Sequence, residues 1–577
     1  MTLRTPWIAM TLAVATVALF TGAHGAEREV TGIRAVHRHG QTFVTWRDVA
    51  EGEEGAKFRY SLYRADRPIT AENWQDAELC YQGVLNNSAK QFGFAFNLKD
   101  RLDPSKPYAL IEAGGQPLPP WSGLAVHTVQ RPGKTYYAIV ATDEKLQPVS
   151  DVVPGTSSTA EALEEKPGPI QPIKLYDSKE RKSYVAQTSI TGQQGLPLKI
   201  NLHGSQGAGG PGGEWGDYYL YFGTPEMGYR DGLPGVFTVQ ENHVKEGNSL
   251  LLRPRDAIEH PSGRGAFETM WTGYYCVPQG AERAKNAEPR YHLFTQNRLL
   301  WMIAWTLKHY HADPQRVSMG GSSMGGLGSI NVGFRRPEIF AAAYPSTSPF
   351  LWWRPSSLLG SEGRDTKILL ADGQTSYVDY MNSPKYVADK HADLPFLGWA
   401  VGRRDPNHNW QEYIDMVRVL TENHHGFCFA WNDGGHSEGG KPMTLITKYY
   451  PETKFALNRS YPAFGNSSLN SNLGTGDKLD GDLVGGINLG FGWKEVTDEE
   501  GQWSIAMSND LAERAMTVDV TPRRCQKFKP PPGTKCTWTT STGGSGAVTV
   551  DRWGLVTIAK VAIEPGAATV LTIQVAK

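Results

Sequence analysis

The sequence predicts an α/β fold: a doubly wound, mostly parallel sheet, preceded in the chain by a β-sandwich and followed by a further β-domain. Three observations carry this. At 577 residues the chain exceeds what one hydrophobic core organises, so several domains are expected. Between about 171 and 455, short apolar runs alternate with amphipathic helical segments, the pattern of a layered α/β domain. On either side of that stretch the texture is period-two alternation broken by Gly, Asn and Pro, as in antiparallel sheets.

The first 25 residues are set apart. Arg4 supplies a positive start, Ile8 to Phe20 an apolar stretch, and Ala23-His24-Gly25 a small-x-small site. The combination reads as a secretory signal peptide, with an apolar part too short for a membrane span. A soluble, exported protein is expected, secreted or periplasmic. Residues 28–150 then predict a small antiparallel sandwich. In QTFVTWRD, Thr42, Val44 and Trp46 alternate, and FRYSLYRA and TYYAIVATD follow. The early-strand Trp, Y-S-L-Y-R and Y-Y-A-I-V-A-T-D together resemble a fibronectin type III domain. Residues 151–170, DVVPGTSSTAEALEEKPGPI, read as a linker because acidic and turn-forming residues dominate them.

Within 171–455, LKINLHG, SLLLRPRD, RVSMG, IFAAAYP, PFLGWAVG and FCFAW are strand-like. FTQNRLLWMIAWTLKHYHADP reads as a helix with Thr295 at its start. NWQEYIDMVRVLTENHHG reads as another, with Trp410, Tyr413, Ile414, Val417 and Leu420 on one face. Residues 456–577 predict a C-terminal β-domain, with strands in AMTVDVTP, GAVTVD, GLVTIAKV and TVLTIQV. Five cysteines suit an oxidising compartment without a dense disulfide framework. Cys525 and Cys536 bracket QKFKPPPGTK and are the candidate disulfide, while Cys428 in FCFAW is expected as a buried thiol. The formal net charge of −1 carries no basic surplus, which argues against nucleic acid as a partner.

The chemistry centres on RVSMGGSSMGG, residues 316–326. Gly321-Ser322-Ser323-Met324-Gly325 fits G-x-S-x-G, the sharp strand-to-helix turn that exposes a nucleophilic serine. Gly435-His436-Ser437-Glu438-Gly439 fits the same pattern. Context separates them: Ser323 has a strand before it, glycines around it and a helical continuation, whereas Ser437 lies in a Gly-rich loop. A serine needs a base. His436, in the loop after the last strand of the region, is the candidate among 15 histidines; His408 and the His424-His425 pair have no comparable setting. The base in turn needs an acid to fix its tautomer. Asp405 ends the strand FLGWAVG in GRRDPNHNW and ranks first, with Asp433, Asp372 and Asp379 as competitors.

The order Ser323, Asp405, His436 and the surrounding motifs (D-P-Q-R-V before the elbow, G-R-R-D, G-G-H-S) resemble the α/β-hydrolase superfamily. Over residues 195–455 the likeness is to its secreted esterase and depolymerase type, near the prolyl oligopeptidase family. The resemblance implies a serine hydrolase working through an acyl-enzyme, with no metal or organic cofactor. It also implies an oxyanion hole from the backbone N–H of Met324 and of Ser205 in His203-Gly204-Ser205, with Gly204 second. Carboxylic esters are the expected substrates, polymer-borne or carbohydrate esters among them. A serine peptidase of prolyl oligopeptidase type is the first alternative, although only a sandwich precedes the catalytic region where that family usually carries a propeller. A non-catalytic exported binding protein is the second. The chain has 17 Trp and 24 Tyr. Of these, Trp271, Tyr274, Trp352, Trp353 and Trp410 fall in connections near the catalytic face, where they serve either a sugar or aromatic acyl group or the core.

Overall fold

The computed structural model describes residues 29–90, 111, 118–174, 191–205, 218–221, 234–242, 247–256, 258–259, 266–276, 290–352 and 368–576. The expected signal peptide lies outside them. Among the described residues no helix is long and apolar enough to cross a membrane.

The molecule is organised around a ten-stranded mixed sheet. Its strands are β1 (Ile173–Lys174), β2 (Pro197–Leu202), β3 (Tyr218–Tyr221), β4 (Pro234–Asn242), β5 (Ser249–Pro254), β6 (Asp313–Ser322), β7 (Ala342–Ser346), β8 (Phe396–Gly402), β9 (Phe427–Asn432) and β10 (Gly485–Ile487). The order across the sheet is β10-β9-β8-β7-β6-β2-β5-β4-β3-β1. The run from β9 to β5 is parallel throughout. β4, β3 and β1 continue antiparallel on one side, and β10 caps the other side antiparallel to β9. Such a sheet is covered on both faces, which is why β8, FLGWAVG, is buried at every position and carries no alternation. Helices α1 (Phe294–His309), α2 (Met324–Arg335), α3 (Trp410–Glu422) and α4 (Met443–Tyr449) are the longest of those accompanying it.

Two helical details differ from expectation. Helix α1 begins at Phe294 after Leu293, without a side-chain cap. Thr295 does not cap because its Oγ1 is buried and engaged by Thr269 and Arg298. Helix α3 buries Trp410, Tyr413, Met416, Val419 and Leu420, leaving Ile414 and Val417 half-buried. The buried stripe is therefore turned toward Met416, against Phe350 and Phe429 of the sheet side.

The N-terminal residues form two antiparallel sheets. One holds Thr31–Arg38, Gln41–Arg47 and Ser122–Thr128; the other holds Arg59–Ala65, Glu78–Leu85, Gly133–Thr142 and Leu163–Glu165. The last of these strands corrects the reading of 151–170 as a linker. Leu163–Glu165 pairs with residues 133–135, and Glu165 is buried, accepting hydrogen bonds from Thr42 and Tyr137. Acidic composition suggests solvent; two hydroxyl donors to Glu165 Oε1 hold the carboxyl group inside the sandwich instead.

Beyond residue 455 the chain builds a three-stranded and a five-stranded sheet around a shared core with Phe464, Phe491, Trp503, Val520 and Ile573. Arg523 and Arg524 fasten this unit to connections of the central sheet. Arg523 donates to the carbonyls of His391 and Ala392 and pairs with Asp393, and Arg524 donates to the Phe340 carbonyl. The segment between the two halves returns to the central sheet as β10, so that sheet takes in a strand from beyond the expected boundary at 455.

The candidate disulfide does not form. Cys525 and Cys536 are free thiols. Cys525 follows a strand of the three-stranded sheet, with its sulfur 3.4 Å from Ser460 Oγ, while Cys536 is buried within a strand of the five-stranded sheet. Burial pushes both thiols up, that of Cys525 to about 12, which keeps them unreactive. Cys428 is a buried thiol, as expected.

Arg403, at the end of β8, organises the loop before β10. The residue is fully buried. Its guanidinium donates to the carbonyls of Lys478 (2.6 Å), Asp482 (3.0 Å), Leu473 and Asp477 (3.2 Å each) and Asp480, and lies 4.2 Å from the Trp410 ring centre. A planar cation with five N–H donors suits such a ring of carbonyls. Arg403→Met keeps volume but orphans the carbonyls. It should lower stability by about 2–4 kcal/mol, given the cost of unsatisfied buried groups and some relief by water. A denaturation midpoint unchanged within error would refute this role.

Candidate active site

The sheet places the elements of the site at the C-terminal ends of its parallel strands, where doubly wound sheets gather functional loops. Ser323 occupies the turn between β6 and α2 with φ 56° and ψ −119°, a strained conformation for a residue with a side chain. Its N–H donates to the Ser346 carbonyl at 2.9 Å and to Thr347 Oγ1 at 3.2 Å. Flanking glycines are a steric necessity. A Cβ on Gly321 would lie 2.5 Å from the Leu202 carbonyl oxygen, and one on Gly325 would lie 2.0 Å from it. Ser322, one residue earlier, bonds Thr347 Oγ1 at 2.6 Å. Ser437 is exposed on a turn after β9.

Asp405 is fully buried in the turn after β8. His436 Nδ1 lies 2.5 Å from Asp405 Oδ2, and Asn407 N–H donates to Oδ1 at 2.9 Å. The competing acids are engaged elsewhere. Asp433 is held by Arg404 in two contacts of 2.6 and 2.9 Å, Asp372 accepts from the backbone of Gln374 and Thr375, and Asp379 pairs with Lys385. Lys478, from the loop that Arg403 orders, donates to the Asp405 carbonyl.

Among the described residues, Asp405, His408 and His436 are the one group of ligand-type side chains close enough to share a cation, with their ligand atoms within 4.8 Å. His436 Nδ1 and Asp405 Oδ2 are close enough to hydrogen-bond directly to one another.

Ser323, Met324, Ser205 and His436 line one cavity of about 530 Å³, together with Met270, Thr347, Trp352, Asn407 and Glu412 among others. The loop carrying Ser205 packs against the elbow: a Cβ on Gly204 would stand 3.1 Å from the Ser322 carbonyl oxygen. His203 sets this loop. Its Nε2 accepts from the Asp256 N–H at 3.0 Å, so Nδ1 carries the proton and donates to the Gly204 carbonyl at 2.9 Å. That bond fixes the plane of the Gly204–Ser205 peptide and with it the direction of the Ser205 N–H. The Ser205 hydroxyl donates to Glu268 at 2.6 Å. Met324 opens α2, where the backbone N–H has no partner within the helix.

The aromatic candidates divide. Trp352 lines the cavity. Trp271 does not bind at the surface: it is buried, its indole N–H donates to the His203 carbonyl at 3.0 Å, and its ring meets His203 edge-on. It supports the Ser205 loop from beneath. Trp410 is likewise buried, between Arg403 and Trp431. Trp353 and the side chain of Tyr274 lie outside the described residues.

Sequence reading missed four contributors: Thr347, Asn407, His408 and Glu412. The signal for Glu412 was present in N409-W-Q-E412, a capping box in which Asn409 and Glu412 satisfy each other's backbone. The Glu412 carboxylate also accepts from the N–H groups of Phe350 and Leu351, fixing the cavity wall.

A scan against family models finds a match to the esterase family ("Putative esterase") over residues 260–422. The matched segment carries the Ser323 turn and Asp405, and ends before His436. With this match, the chain is an enzyme of the carboxylic-ester hydrolase type. No curated protein sequence matches it. Among solved structures, the chain is similar to a fluorophosphonate-binding serine hydrolase of Staphylococcus aureus, at 15% identity and a TM-score of 0.26, covering 46% of this chain and 86% of that one. It is also similar to an S-formylglutathione hydrolase of Agrobacterium tumefaciens, at 13% identity and a TM-score of 0.28, covering 44% and 83%. A ferulic acid esterase matches at 14% identity and a TM-score of 0.25, covering 45% and 84%.

Burial raises Glu412 to about 7. The unfolded carboxyl titrates near 4.5, so between these values the folded state holds the extra proton and stability falls as pH rises. Glu412→Gln removes that titration. Between pH 4.5 and 7.5 the stability of the parent relative to this variant should decline by up to about 3 kcal/mol. Denaturant unfolding at both pH values checks it, and a difference independent of pH would contradict it.

Proposed function

We propose that this protein is an exported serine esterase in which Ser323 is the nucleophile, His436 the general base and Asp405 the acid that orients it. One observation carries the reading: the strained Ser323 turn and the His436–Asp405 pair line the same cavity, and His436 Nδ1 meets a buried carboxylate at 2.5 Å. With Nδ1 directed to Asp405, Nε2 is the nitrogen free to take the Ser323 proton as the hydroxyl attacks an ester carbonyl. The negative charge that develops on the carbonyl oxygen settles against the N–H groups of Met324 and Ser205, each donor worth about 3–4 kcal/mol in such sites. The alcohol leaves with a proton returned by His436. Water, activated by the same histidine, then releases the acid and restores Ser323.

The substrates we infer are carboxylic esters, with polymer-borne or carbohydrate-linked esters as the leading class. The N-terminal pair of sheets, one of three strands and one of four, supports a fibronectin type III-like module, and the C-terminal sheets form a second accessory unit. Such modules beside a hydrolase suit an extended substrate. The ordinary peptidase of prolyl oligopeptidase type remains the alternative that a substrate panel decides. The panel comprises p-nitrophenyl esters, acetylated and feruloylated polysaccharides, polyesters and proline-containing peptides. Ester turnover with negligible peptide cleavage is expected; the reverse order would make the protein a peptidase.

Ser323→Ala should fold and lose about 10⁶ in kcat, while Ser437→Ala retains most activity. Asp405→Asn should lose about 10⁴ by holding the imidazole in the wrong tautomer, and Asp433→Asn should lose little. Steady-state kinetics on the best ester decides both pairs; a dead Ser437→Ala or Asp433→Asn beside an active partner variant would reassign the role.

A further inference from the structure

Asp405 Oδ2 has a second imidazole beside it. His408, three residues on, is buried, and its Nε2 lies 3.3 Å from Asp405 Oδ2 and 3.1 Å from the Thr347 carbonyl. Both neighbours are acceptors only, so Nε2 must carry a hydrogen. The other nitrogen, Nδ1, is 2.5 Å from the Tyr413 hydroxyl, which also lies 3.1 Å from the Ser348 carbonyl. In the neutral ring Nδ1 accepts, and the Tyr413 proton goes to it across the shorter contact. Burial favours that neutral ring, lowering His408 to about 4 against the opposing pull of Asp405. The tautomer is thus set from both ends by groups on α3 and on the loop after β7.

Thr347, the acceptor of the Nε2–H, and Asp405, its close neighbour, belong to different parts of the site. Asp405 orients His436, whereas Thr347 is bonded to the nucleophile's turn. Thr347 Oγ1 accepts from the Ser323 N–H and bonds the Ser322 hydroxyl, and its own N–H is held by the Ala400 carbonyl of β8. Thr347 has φ 45°, a genuine strain for a β-branched residue, which neighbouring bonds must maintain. Tyr413 in turn packs at 5.7 Å between ring centres against both Phe350 and Phe429, so the far end of the brace rests on the core.

We propose that His408 is a positioning residue: a neutral imidazole whose single Nε2–H is donated to the Thr347 carbonyl, which holds the ring edge 3.3 Å from Asp405 Oδ2 and so fixes the acid relative to the Ser323 turn. The inference rests on Asp405 and Ser323 acting as assigned above. His408 transfers no proton to substrate. It stands beside the carboxylate that orients His436 and thereby sets how strongly Asp405 stabilises the imidazolium that forms during turnover.

Three variants test the brace on the full chain with the best p-nitrophenyl ester, each checked for folding by its thermal midpoint, with Asp405→Asn in parallel. His408→Leu removes the donor. Its kcat should fall about 3- to 10-fold, the worth of one hydrogen bond to a neutral carbonyl, with KM changed less than about threefold. The acid limb of its kcat/KM profile should move to higher pH, because Asp405 then directs its charge to His436 alone. His408→Gln places an amide N–H where Nε2 stood and should recover most of kcat and return the limb. Tyr413→Phe removes one hydroxyl without altering volume, and should move the limb the same way with a smaller loss of rate. If His408→Leu does not fold, the comparison of His408→Gln with Tyr413→Phe carries the test. Folded variants with parental kcat and an unmoved acid limb, or a Gln variant no better than a folded Leu variant, would overturn the brace. Should Asp405→Asn itself prove active, the assignment of the acid fails instead, whatever the His408 variants do.

Discussion

The site depends on a close approach of backbone to backbone. At the end of β6 the chain turns so sharply into α2 that Leu202 of the neighbouring strand occupies the space where side chains on Gly321 and Gly325 would stand. Only glycine fits, and only with that clearance can Ser323 sit at φ 56° with its hydroxyl at the cavity. Everything else is arranged around this fixed point. The Ser205 loop lies against the turn, the end of β7 and the residue after it supply the carbonyl and hydroxyl that hold the Ser323 N–H, and β8 and β9 deliver Asp405 and His436 from the adjoining strand ends.

Strain of this kind persists when surroundings over-determine it. Here the surroundings are polar and buried. His203 fixes one peptide plane, Glu412 collects the N–H groups of Phe350, Leu351 and Asn409, and Arg403 collects five carbonyls of the loop that puts Lys478 on Asp405. His203, Glu412 and Arg403 each have more than one hydrogen-bond partner, which is the condition under which burying such a group is tolerated. Apolar packing forms the sheet; these networks decide where its loops point. The cavity is therefore lined by residues distant in sequence, from Ser205 to His436, and the loop before β10 reaches the Asp405 backbone from beyond position 455.

Legibility followed range. The strand, turn and helix around Ser323 are legible because they are contiguous with its glycines, and the place of Asp405 because it follows an apolar strand. Cys428 was readable for the same local reason. The failures are long-range. Trp271 was placed on the catalytic face, yet its indole is committed to the His203 carbonyl, 68 positions away. Cys525 and Cys536 are near in sequence, but one follows a strand of the three-stranded sheet and the other lies within the five-stranded sheet, and no spacing reveals that. Glu165 looked solvated because its partners, Thr42 and Tyr137, lie on strands that only the folded sandwich brings together. His408 has no setting in the sequence that marks it, yet the turn from Asp405 carries it back beside the carboxylate.

The most direct measurement is chemical trapping of the nucleophile. The purified protein is treated with a fluorophosphonate, digested and mapped by mass spectrometry. A single stoichiometric adduct on Ser323, abolished in Ser323→Ala and strongly slowed in Asp405→Asn, is the expected result. An adduct on Ser437 or elsewhere, or no adduct on active protein, would contradict the assignment of Ser323 as the residue that the sheet, the glycines and the His436–Asp405 pair are built to activate.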